Sequence, residues 1–412
     1  MLTFVIYVKK DIYLIKLLII NNITMLLAGF EFTMIELIIL AVFFIAFIYQ
    51  LFFYHQYING PLVYQKKLLK SEISLQSSNP GVSVIICARD EAENLRQNLV
   101  HILEQDYPAF EVIVVNDGST DESEILLNNL KEQYPHLRST FVPYGAKNLS
   151  TKKLALTLGI KAAKNDWVLL TDADCVPQSK QWIAKMARNF NPGVEFVLGY
   201  SPYTIEKTAL NKLITYDTLF NALQYLGFAL RGKPYMGVGR NMAYRKEVFF
   251  RMKGFASNLH LRSGDDDLMV NSAANEFNTK IEVSNESIVW SEPKKNNHDW
   301  LYQKERHLSV STHYNAKSKF NLTIEPITRG LFYLSFILLF VFGNLITMIA
   351  AGVLYVWRLI TQMVILNKAS KHFGGRNYYM SVIVLDVYLP LVNLFMLSFG
   401  RMGSKSKRIV WK

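Results

Sequence analysis

Short apolar runs alternate with longer amphipathic stretches between residues 82 and 174, and this alternation limits the possible folds more than any other feature. The run Val82–Ala88, VSVIICA, is rich in β-branched residues and almost continuously apolar, as is typical of a strand buried on both faces. Residues 91–105 follow it with leucine and isoleucine at helical spacing. Strand–helix units joined by short connections predict a mainly parallel sheet with helices on both faces.

The same alternation continues, with further strands predicted at 110–117, 139–144 and 166–174 and further helices at 120–134 and 151–163. In sheets of this kind, ligands bind at the carboxyl ends of the strands. Three polar clusters occur at those ends, namely Arg89-Asp90-Glu91, Asn116-Asp117-Gly118 and Asp172-Ala173-Asp174. The sequence therefore predicts that they meet at one edge of the sheet.

Asp172 and Asp174 are a pair of carboxylates at the end of a predicted buried strand. Side chains two residues apart on a strand point to the same side, so the two charges repel unless a cation lies beside them. Mg²⁺ and Mn²⁺ accept one or two carboxylates together with phosphate oxygens. The pair predicts a divalent metal bound to a diphosphate, with a solvated strand end as the alternative.

The composition limits which classes of partner the chain is expected to bind. The chain has 412 residues, half of them hydrophobic, and a formal net charge of +12. Such a charge suits phosphorylated substrates or an anionic membrane surface, and without a Lys/Arg run of the nucleic-acid type we expect no nucleic-acid partner. Cys87 and Cys175 are the only cysteines, which excludes a CxxC metal site and a disulfide framework and favours buried thiols.

Uncharged apolar segments lie on both sides of the predicted sheet. Residues 37–53 reach the ~17–25 residues that a spanning helix needs, although a buried core helix is the alternative. Lysines follow this segment, and the positive-inside rule then puts residues 65–325 in the cytosol. A basic C-terminal tail, expected to be cytosolic too, requires an even number of later crossings. Whether residues 353–367 cross, lie flat or form part of a hairpin stays open.

These patterns predict the following organisation: a leader or extra apolar segment (1–33), a transmembrane helix (34–56), a linker (57–79), an α/β domain (80–325), C-terminal membrane helices (326–400) and a basic cytosolic tail (401–412).

Six motifs occur in a familiar order and spacing: VSVIICARDEAENL, VIVVNDGSTDES, KKLALTLGI, LLTDADC, GRNMAYRKEVF and SGDDDLMV. In these motifs the chain resembles family 2 glycosyltransferases with the GT-A fold. The apolar helices and QKERH make it similar to the membrane-bound, inverting members. The resemblance implies a Rossmann-like, mainly parallel catalytic domain between transmembrane helices, with Mg²⁺ or Mn²⁺ as the cofactor.

The resemblance also assigns roles to residues. Asp90 and Asp117 would line the nucleotide pocket beside Gly118, Lys152 or Lys153 would approach the diphosphate, and Arg240 and Asn241 would belong to the acceptor-side loop. The full set of expected substrate-binding residues is Arg89, Asp90, Glu91, Asp117, Gly118, Lys153, Asp172, Arg240, Asn241, Gln303 and His307, and the expected metal ligands are Asp174 and Asp172.

The triad Asp265-Asp266-Asp267 would contain the general base. Adjacent acids raise each other's pKa, as suits a base that acts near neutral pH. The resemblance aligns the base to Asp266, with Asp265 as the second choice and a solvated acidic turn as the alternative. QKERH resembles the Q-x-x-R-W motif, with His307 in place of the tryptophan. Arg306 would neutralise the departing diphosphate.

The expected function is sugar transfer from a UDP- or GDP-linked donor to a lipid, lipid-linked or glycan acceptor. It would occur at the cytosolic face of a bacterial inner (plasma) membrane. Two alternatives remain: a polysaccharide synthase that extrudes its product, and a nucleotide-binding membrane sensor without turnover.

Overall fold

The computed structural model describes residues 24–27, 30–70, 79–142, 151–259, 261 and 263–399. Predictions about residues 1–23 and about the tail at 401–412 lie outside these residues and stay predictions. The chain forms two compact units, one that runs to His55 and resumes over Phe320–Val364, and one that contains Gln56–Lys319 and the residues from Ile365 onward.

The strands are β1 Thr24–Leu27, β2 Phe30–Thr33, β3 Val82–Ala88, β4 Phe110–Asn116, β5 Leu137–Phe141, β6 Trp167–Asp172, β7 Cys175–Pro177, β8 Phe196–Leu198, β9 Met242–Arg245, β10 Thr279–Ile281 and β11 Val289–Ser291. The helices are α1 Met34–Phe53, α2 Gly60–Leu69, α3 Ala92–Leu103, α4 Ser123–Gln133, α5 Thr151–Ala162, α6 Trp182–Ala187, α7 Ala209–Leu230, α8 Lys246–Arg251, α9 Asp267–Ala273, α10 Asn297–Ser311, α11 Ala316–Phe342, α12 Leu345–His372 and α13 Ser381–Phe399.

A seven-stranded sheet in the order β10-β8-β9-β6-β3-β4-β5 forms the centre of the second unit. Every neighbouring pair is parallel except those of β9, which runs antiparallel to β6 and β8. The mainly parallel α/β fold expected from the sequence is therefore confirmed. All seven residues of β3 are buried, as a central strand with helices on both faces requires.

The helices bury the faces that their periodicity predicts. Leu95, Leu99, Ile102 and Leu103 of α3 are buried in the same hydrophobic core as the sheet. Helix α5 approaches β3 so closely that a Cβ at Gly159 would lie 2.6 Å from a methyl carbon of Ile85. This close approach matters for the site, because the first turn of α5 lies near the carboxyl ends of the strands.

Several predicted boundaries differ from the observed ones. Strand β6 ends at Asp172, because the chain turns at 173–174 and pairs again as β7 with β11. The predicted linker at 57–79 contains a helix, α2. The part of the N-terminal segment that the structure describes is a two-stranded hairpin of β1 and β2, not a helix.

Within the described residues, four helical segments are long and apolar enough to cross a membrane, namely Met34–Leu69, which runs from α1 through α2, Ala316–Phe342, Leu345–His372 and Ser381–Phe399. The weak segment 353–367 lies within the single helix α12, Leu345–His372, and does not form an element of its own. The structure thus offers three candidate helices after the α/β domain within the described residues, where the sequence analysis expected an even number of crossings.

The first unit has its own apolar core, in which Phe43, Phe47, Phe332, Leu339 and Ala351 pack together. Polar groups connect its helices. Gln50 of α1 donates to Thr328 Oγ1 of α11 at 3.0 Å, and the guanidinium of Arg358 in α12 donates to Gln50 Oε1 at 2.9 Å. Such buried polar contacts hold helices together where water is excluded.

Candidate active site

The polar clusters predicted for one edge of the sheet do meet there. The register of the parallel strands puts Cys87 beside Asp172 and Ala88 beside Asn116. The residues that follow β3, β4 and β6 therefore leave the sheet at the same edge.

The loop after β4 is fastened to the end of β3. Asp90 has a positive φ of 53°, and its Oδ1 accepts hydrogen bonds from the backbone N–H of Thr120 at 2.7 Å and from the Thr120 hydroxyl at 3.1 Å. Gly118 also lies in the left-handed region, with φ 67°, where glycine is favoured. The carboxylate of Asp117, almost fully buried, lies 3.9 Å from the guanidinium of Arg89.

In the Asp172–Asp174 pair, only Asp172 is bonded directly to a cation among the described residues. Lys152 Nζ donates to Asp172 Oδ1 at 3.0 Å. Burial raises the pKa of Asp172, but this ammonium outweighs burial and holds the pKa below its usual value. Asp174 instead accepts hydrogen bonds from the Cys175 thiol and the Ser291 hydroxyl, at 3.3 Å each, and has no closer partner among the described residues. Burial and the charge of Asp172 raise the pKa of Asp174.

The charges of Asp172 and Asp174 also act on the Glu91 carboxyl. Burial raises its pKa against a hydrogen bond from Asn94, and the carboxylates of Asp174 and Asp172 raise it further. Among the described residues, no three His, Cys, Asp or Glu side chains are grouped so as to hold a metal ion by themselves. The residues fit a divalent cation that takes its remaining ligands from a phosphate, since Asp174 is acidic, poorly paired and repelled by Asp172.

Arg240 and Asn241, which follow each other on the loop before β9, have different surroundings. The guanidinium of Arg240 lies 4.3 Å from the centre of the Tyr203 ring, and Nη2 donates to Ser201 O at 3.1 Å. Its Nη1 is buried and has no hydrogen-bond partner among the described residues. Asn241 is fully buried, and its amide nitrogen donates to the carbonyls of Tyr200 and Ser287 at 2.8 Å each. Arg240 therefore has free donor capacity, whereas Asn241 holds the loop together.

The three consecutive aspartates separate into three environments. Both oxygens of Asp266 accept backbone hydrogen bonds, Oδ2 from Gly239 N at 2.7 Å and Oδ1 from Asp267 N at 2.9 Å. Burial and the charge of Asp265 raise the pKa of Asp266 despite these bonds. The buried carboxylate of Asp267 accepts from the Tyr314 hydroxyl at 3.0 Å. Asp265 is only partly buried.

Helix α10 presents the QKERH residues. Gln303 Nε2 donates to the hydroxyl of Tyr203 at 2.9 Å, which links the helix to the residue that stacks on Arg240. Arg306 Nε is buried without a hydrogen-bond partner among the described residues, while His307 is exposed. The charges of Arg240 and Arg306 both lower the pKa of Asp172, after the larger effects of burial and Lys152, so both cations lie close enough to act on this carboxylate.

Lys153 is not brought to this cluster. Its ammonium donates to the carbonyls of Asn258, Leu261 and Ser263 at 2.6, 2.9 and 3.0 Å, which uses all three of its N–H groups. Of the two consecutive lysines, Lys152 is the one that faces the Asp-x-Asp pair.

Three structural contributors were missed by sequence reasoning: Tyr203, Tyr314 and the Lys304–Asp217 ion pair of 2.7 Å. Tyr203 lies in the irregular stretch GYSPYT, where no periodicity indicates a role. The partners of Tyr314 and Lys304 lie 47 and 87 residues away, beyond any local pattern. Lys304 is, however, inside QKERH, and its position in that motif was the one available signal.

Comparison with known proteins finds glycosyltransferases among the similar sequences. The probable glycosyltransferase YdaM of Bacillus subtilis is 24% identical over 277 residues, which cover 64% of this chain and 64% of YdaM. The poly-beta-1,6-N-acetyl-D-glucosamine synthase of Staphylococcus aureus is 30% identical over 96 residues, which cover 23% of this chain and 22% of the synthase. The chain thus spans less than two thirds of the length of these relatives.

A solved structure with a similar chain path is that of the mannosyltransferase PcManGT from Pyrobaculum calidifontis in complex with GDP-Man and Mn²⁺. It is 19% identical, covers 81% of this chain and 98% of its own, and gives a TM-score of 0.49. Residues 83–251 match the family model described as Glycosyl transferase family 2. This matched segment contains the edge built by β3, β4 and β6, so the part of the chain that forms this edge is similar to glycosyl transferase family 2.

Proposed function

We propose that the chain transfers a sugar from a nucleoside-diphosphate sugar to a hydroxyl group of an acceptor, with inversion at the anomeric carbon. One observation carries the proposal: among the described residues, a carboxylate pair in which Asp174 has no directly bonded cation, two arginines with buried nitrogens that lack partners, and a carboxylate held by two backbone N–H groups share one edge of the sheet. A diphosphate needs the first two features, and removal of a hydroxyl proton needs the third.

The residues that follow strands β3, β4 and β6 would bind the donor. Asp117, with Arg89 beside it, and the loop at Gly118 would form the floor for the nucleoside. Asp174 and Asp172 would hold Mg²⁺ or Mn²⁺, which when bound neutralises the negative charge of the diphosphate. Lys152, already paired with Asp172, keeps that carboxylate ionised and in place.

The leaving diphosphate would be stabilised by Arg306 and Arg240. Arg306 Nε and Arg240 Nη1 are buried without hydrogen-bond partners in the part of the chain that the structure describes, and an arriving anion would compensate their desolvation. Fixed donors aimed at developing charge in a partly dry site are worth more than the same donors in water. Tyr203 orients this arrangement, because it stacks on Arg240 and accepts the hydrogen bond from Gln303.

Asp266 would remove the proton from the acceptor hydroxyl. Its two backbone hydrogen bonds fix the carboxylate plane, and each oxygen keeps a further lone pair for the acceptor. Its raised pKa brings it closer to the value that a base needs near neutral pH. Asp265 contributes the neighbouring negative charge that helps to raise this pKa.

The acceptor is proposed to be lipid, lipid-linked or glycan, at the cytosolic face of a bacterial inner membrane. The four helices long and apolar enough to span a membrane support a membrane-associated acceptor. Cytosolic placement of the domain and of the tail requires two of the three later helices to cross. We assign the non-crossing position to α13, since it contacts α10 and α7 of the α/β domain within the second unit.

Similarity to the poly-beta-1,6-N-acetyl-D-glucosamine synthases supports a second candidate, a polymerising synthase. The two candidates differ in product length, because a single-transfer enzyme adds one sugar to each acceptor and a synthase adds many.

The experiment is a panel of radiolabelled UDP- and GDP-sugars incubated with the purified protein, a lipid extract and Mn²⁺ or Mg²⁺. We expect release of the nucleoside diphosphate, loss of that release with EDTA, and an inverted linkage in the product by NMR. Long product would favour the synthase. Donor binding without release from any member of the panel would favour the non-catalytic sensor and overturn the proposal.

A further inference from the structure

Lys153 is a buried cation that the proposed mechanism does not use. Only 1% of its surface is exposed, and its three N–H groups all donate to main-chain carbonyls, those of Asn258, Leu261 and Ser263. Burying an ammonium among neutral dipoles carries a desolvation cost, and a methionine would fill a similar volume without it. The charge is therefore not explained by packing.

The three carbonyls belong to the segment that leads directly into Gly264, Asp265 and Asp266. Within this segment, Leu261 N donates a hydrogen bond to Asn258 O at 3.0 Å. The chain then turns at Gly264, which has a φ of 89°. A single ammonium that three carbonyls share fixes three peptide planes at once. Their orientation in turn sets the direction in which the chain enters the aspartates.

The acidic turn is held at two more points. Gly239 N donates to Asp266, and the hydroxyl of Tyr314 donates to Asp267. Lys153 adds a contact on the entry side, before the aspartates.

Lys152, the residue before Lys153, binds the other acidic part of the site. Lys152 Nζ donates to Asp172 Oδ1 at 3.0 Å, while Lys153 binds the segment before the aspartates. Consecutive residues in the first turn of α5 therefore connect the Asp-x-Asp pair to the acidic turn. The first turn of this helix determines the spacing between the two.

We propose that Lys153 is a positioning residue that holds the base-carrying turn in place relative to the donor carboxylates. The proposal rests on the proposed function, since it gives Lys153 a role in placing Asp266. Lys153 itself touches neither donor nor acceptor.

The test compares Lys153→Met with Lys161→Met, a matched control on the exposed face of the same helix. Hydrogen exchange is measured first, because it needs no activity. Peptides that cover residues 255–268 should exchange at least ~10-fold faster in Lys153→Met, while those from β3 and β6 stay unchanged. Unchanged exchange at 255–268 would overturn the proposal.

Kinetics form the second readout. We expect Lys153→Met to lower kcat by about 10- to 100-fold, since small displacements of a catalytic group have effects of this size, and to leave the donor Kd within about 3-fold. Loss of donor affinity in parallel with kcat would mean that Lys153 acts on the donor, contrary to the proposal. Lys161→Met should match the wild type in both.

The pH profile of kcat distinguishes an effect of the Lys153 charge from a simple loss of folded protein. Burial lowers the pKa of Lys153, and the charges of Asp265 and Asp266 oppose that effect. The ammonium therefore favours the ionised form of Asp266. Removing it should move the acidic limb of kcat to higher pH. A uniform fall in kcat at every pH would contradict the proposal. If the wild type releases no nucleotide from any donor, the proposed function fails, and the exchange result alone decides the role of Lys153.

Discussion

Removing the ammonium of Lys304 should destabilise the α/β domain by a large and measurable amount. Lys304 Nζ lies 2.7 Å from Asp217 Oδ2, and the two side chains are only 7% and 16% exposed. The pair joins α10 to α7, and α10 carries Gln303, Arg306 and His307. Lys304→Met would leave the carboxylate of Asp217 mostly buried and without its cation.

The magnitude follows from the burial of the pair. Breaking a buried ion pair by removing one partner costs about 3–5 kcal/mol, and the slight exposure of both groups favours the lower value, about 3 kcal/mol. A domain of this size loses roughly 2–4 °C in Tm for each kcal/mol, so the expected decrease is roughly 6–12 °C.

The assay is thermal unfolding in detergent, followed by tryptophan fluorescence. The control is Lys295→Met, which breaks an exposed pair with Glu206 at 2.6 Å and should cost ~1 kcal/mol or less. Asp217→Leu combined with Lys304→Met should be more stable than Lys304→Met alone, because no buried charge is left unpaired. A decrease no larger than that of Lys295→Met, or a double variant less stable than either single one, would refute the reasoning.

Three further predictions concern the site and its location. Asp174→Asn should remove most of the divalent-dependent part of donor binding in calorimetry, because the carboxylate with the least compensated charge is lost; unchanged metal-dependent binding would exclude its role. Asp265→Asn should shift the acidic limb of kcat to lower pH, since the loss of this like charge lowers the pKa of Asp266; an upward shift would contradict the assignment. A cysteine at Glu132, exposed on α4, should resist impermeant maleimide in intact cells and react after lysis, as Cys87 and Cys175 are buried; labelling of intact cells would exclude a cytosolic domain.

The sequence was sufficient for the framework of the site. The buried runs that became β3, β4 and β6 are long, apolar and β-branched, so their type and parallel pairing followed from pattern, and so did the shared edge for Asp90, Asp117 and Asp174. The ends of the strands and helices were harder to predict from the sequence. Asp172 ends β6 because the next residues turn into the β7–β11 pair, and the partner strand lies more than a hundred residues later.

Assignments that depend on side-chain direction were beyond sequence reasoning. Lys152 and Lys153 are chemically identical neighbours, and only their orientations on α5 differ. Lys152 points to Asp172, whereas Lys153 points to three main-chain carbonyls. The acidic triad presents the same problem, because its members differ only in what approaches them: Gly239 for Asp266 and Tyr314 for Asp267. Those partners come from distant parts of the chain.

The account depends most on Asp266 as the base of a sugar transfer, and one measurement tests this directly. Donor affinity and sugar transfer should be determined on Asp266→Asn and on wild-type protein, with Mn²⁺, a saturating donor and a lipid extract. The account predicts a donor Kd close to that of the wild type and transfer reduced by ~10²–10⁴, the usual effect of losing general-base catalysis. Transfer at the wild-type rate by folded Asp266→Asn would contradict it.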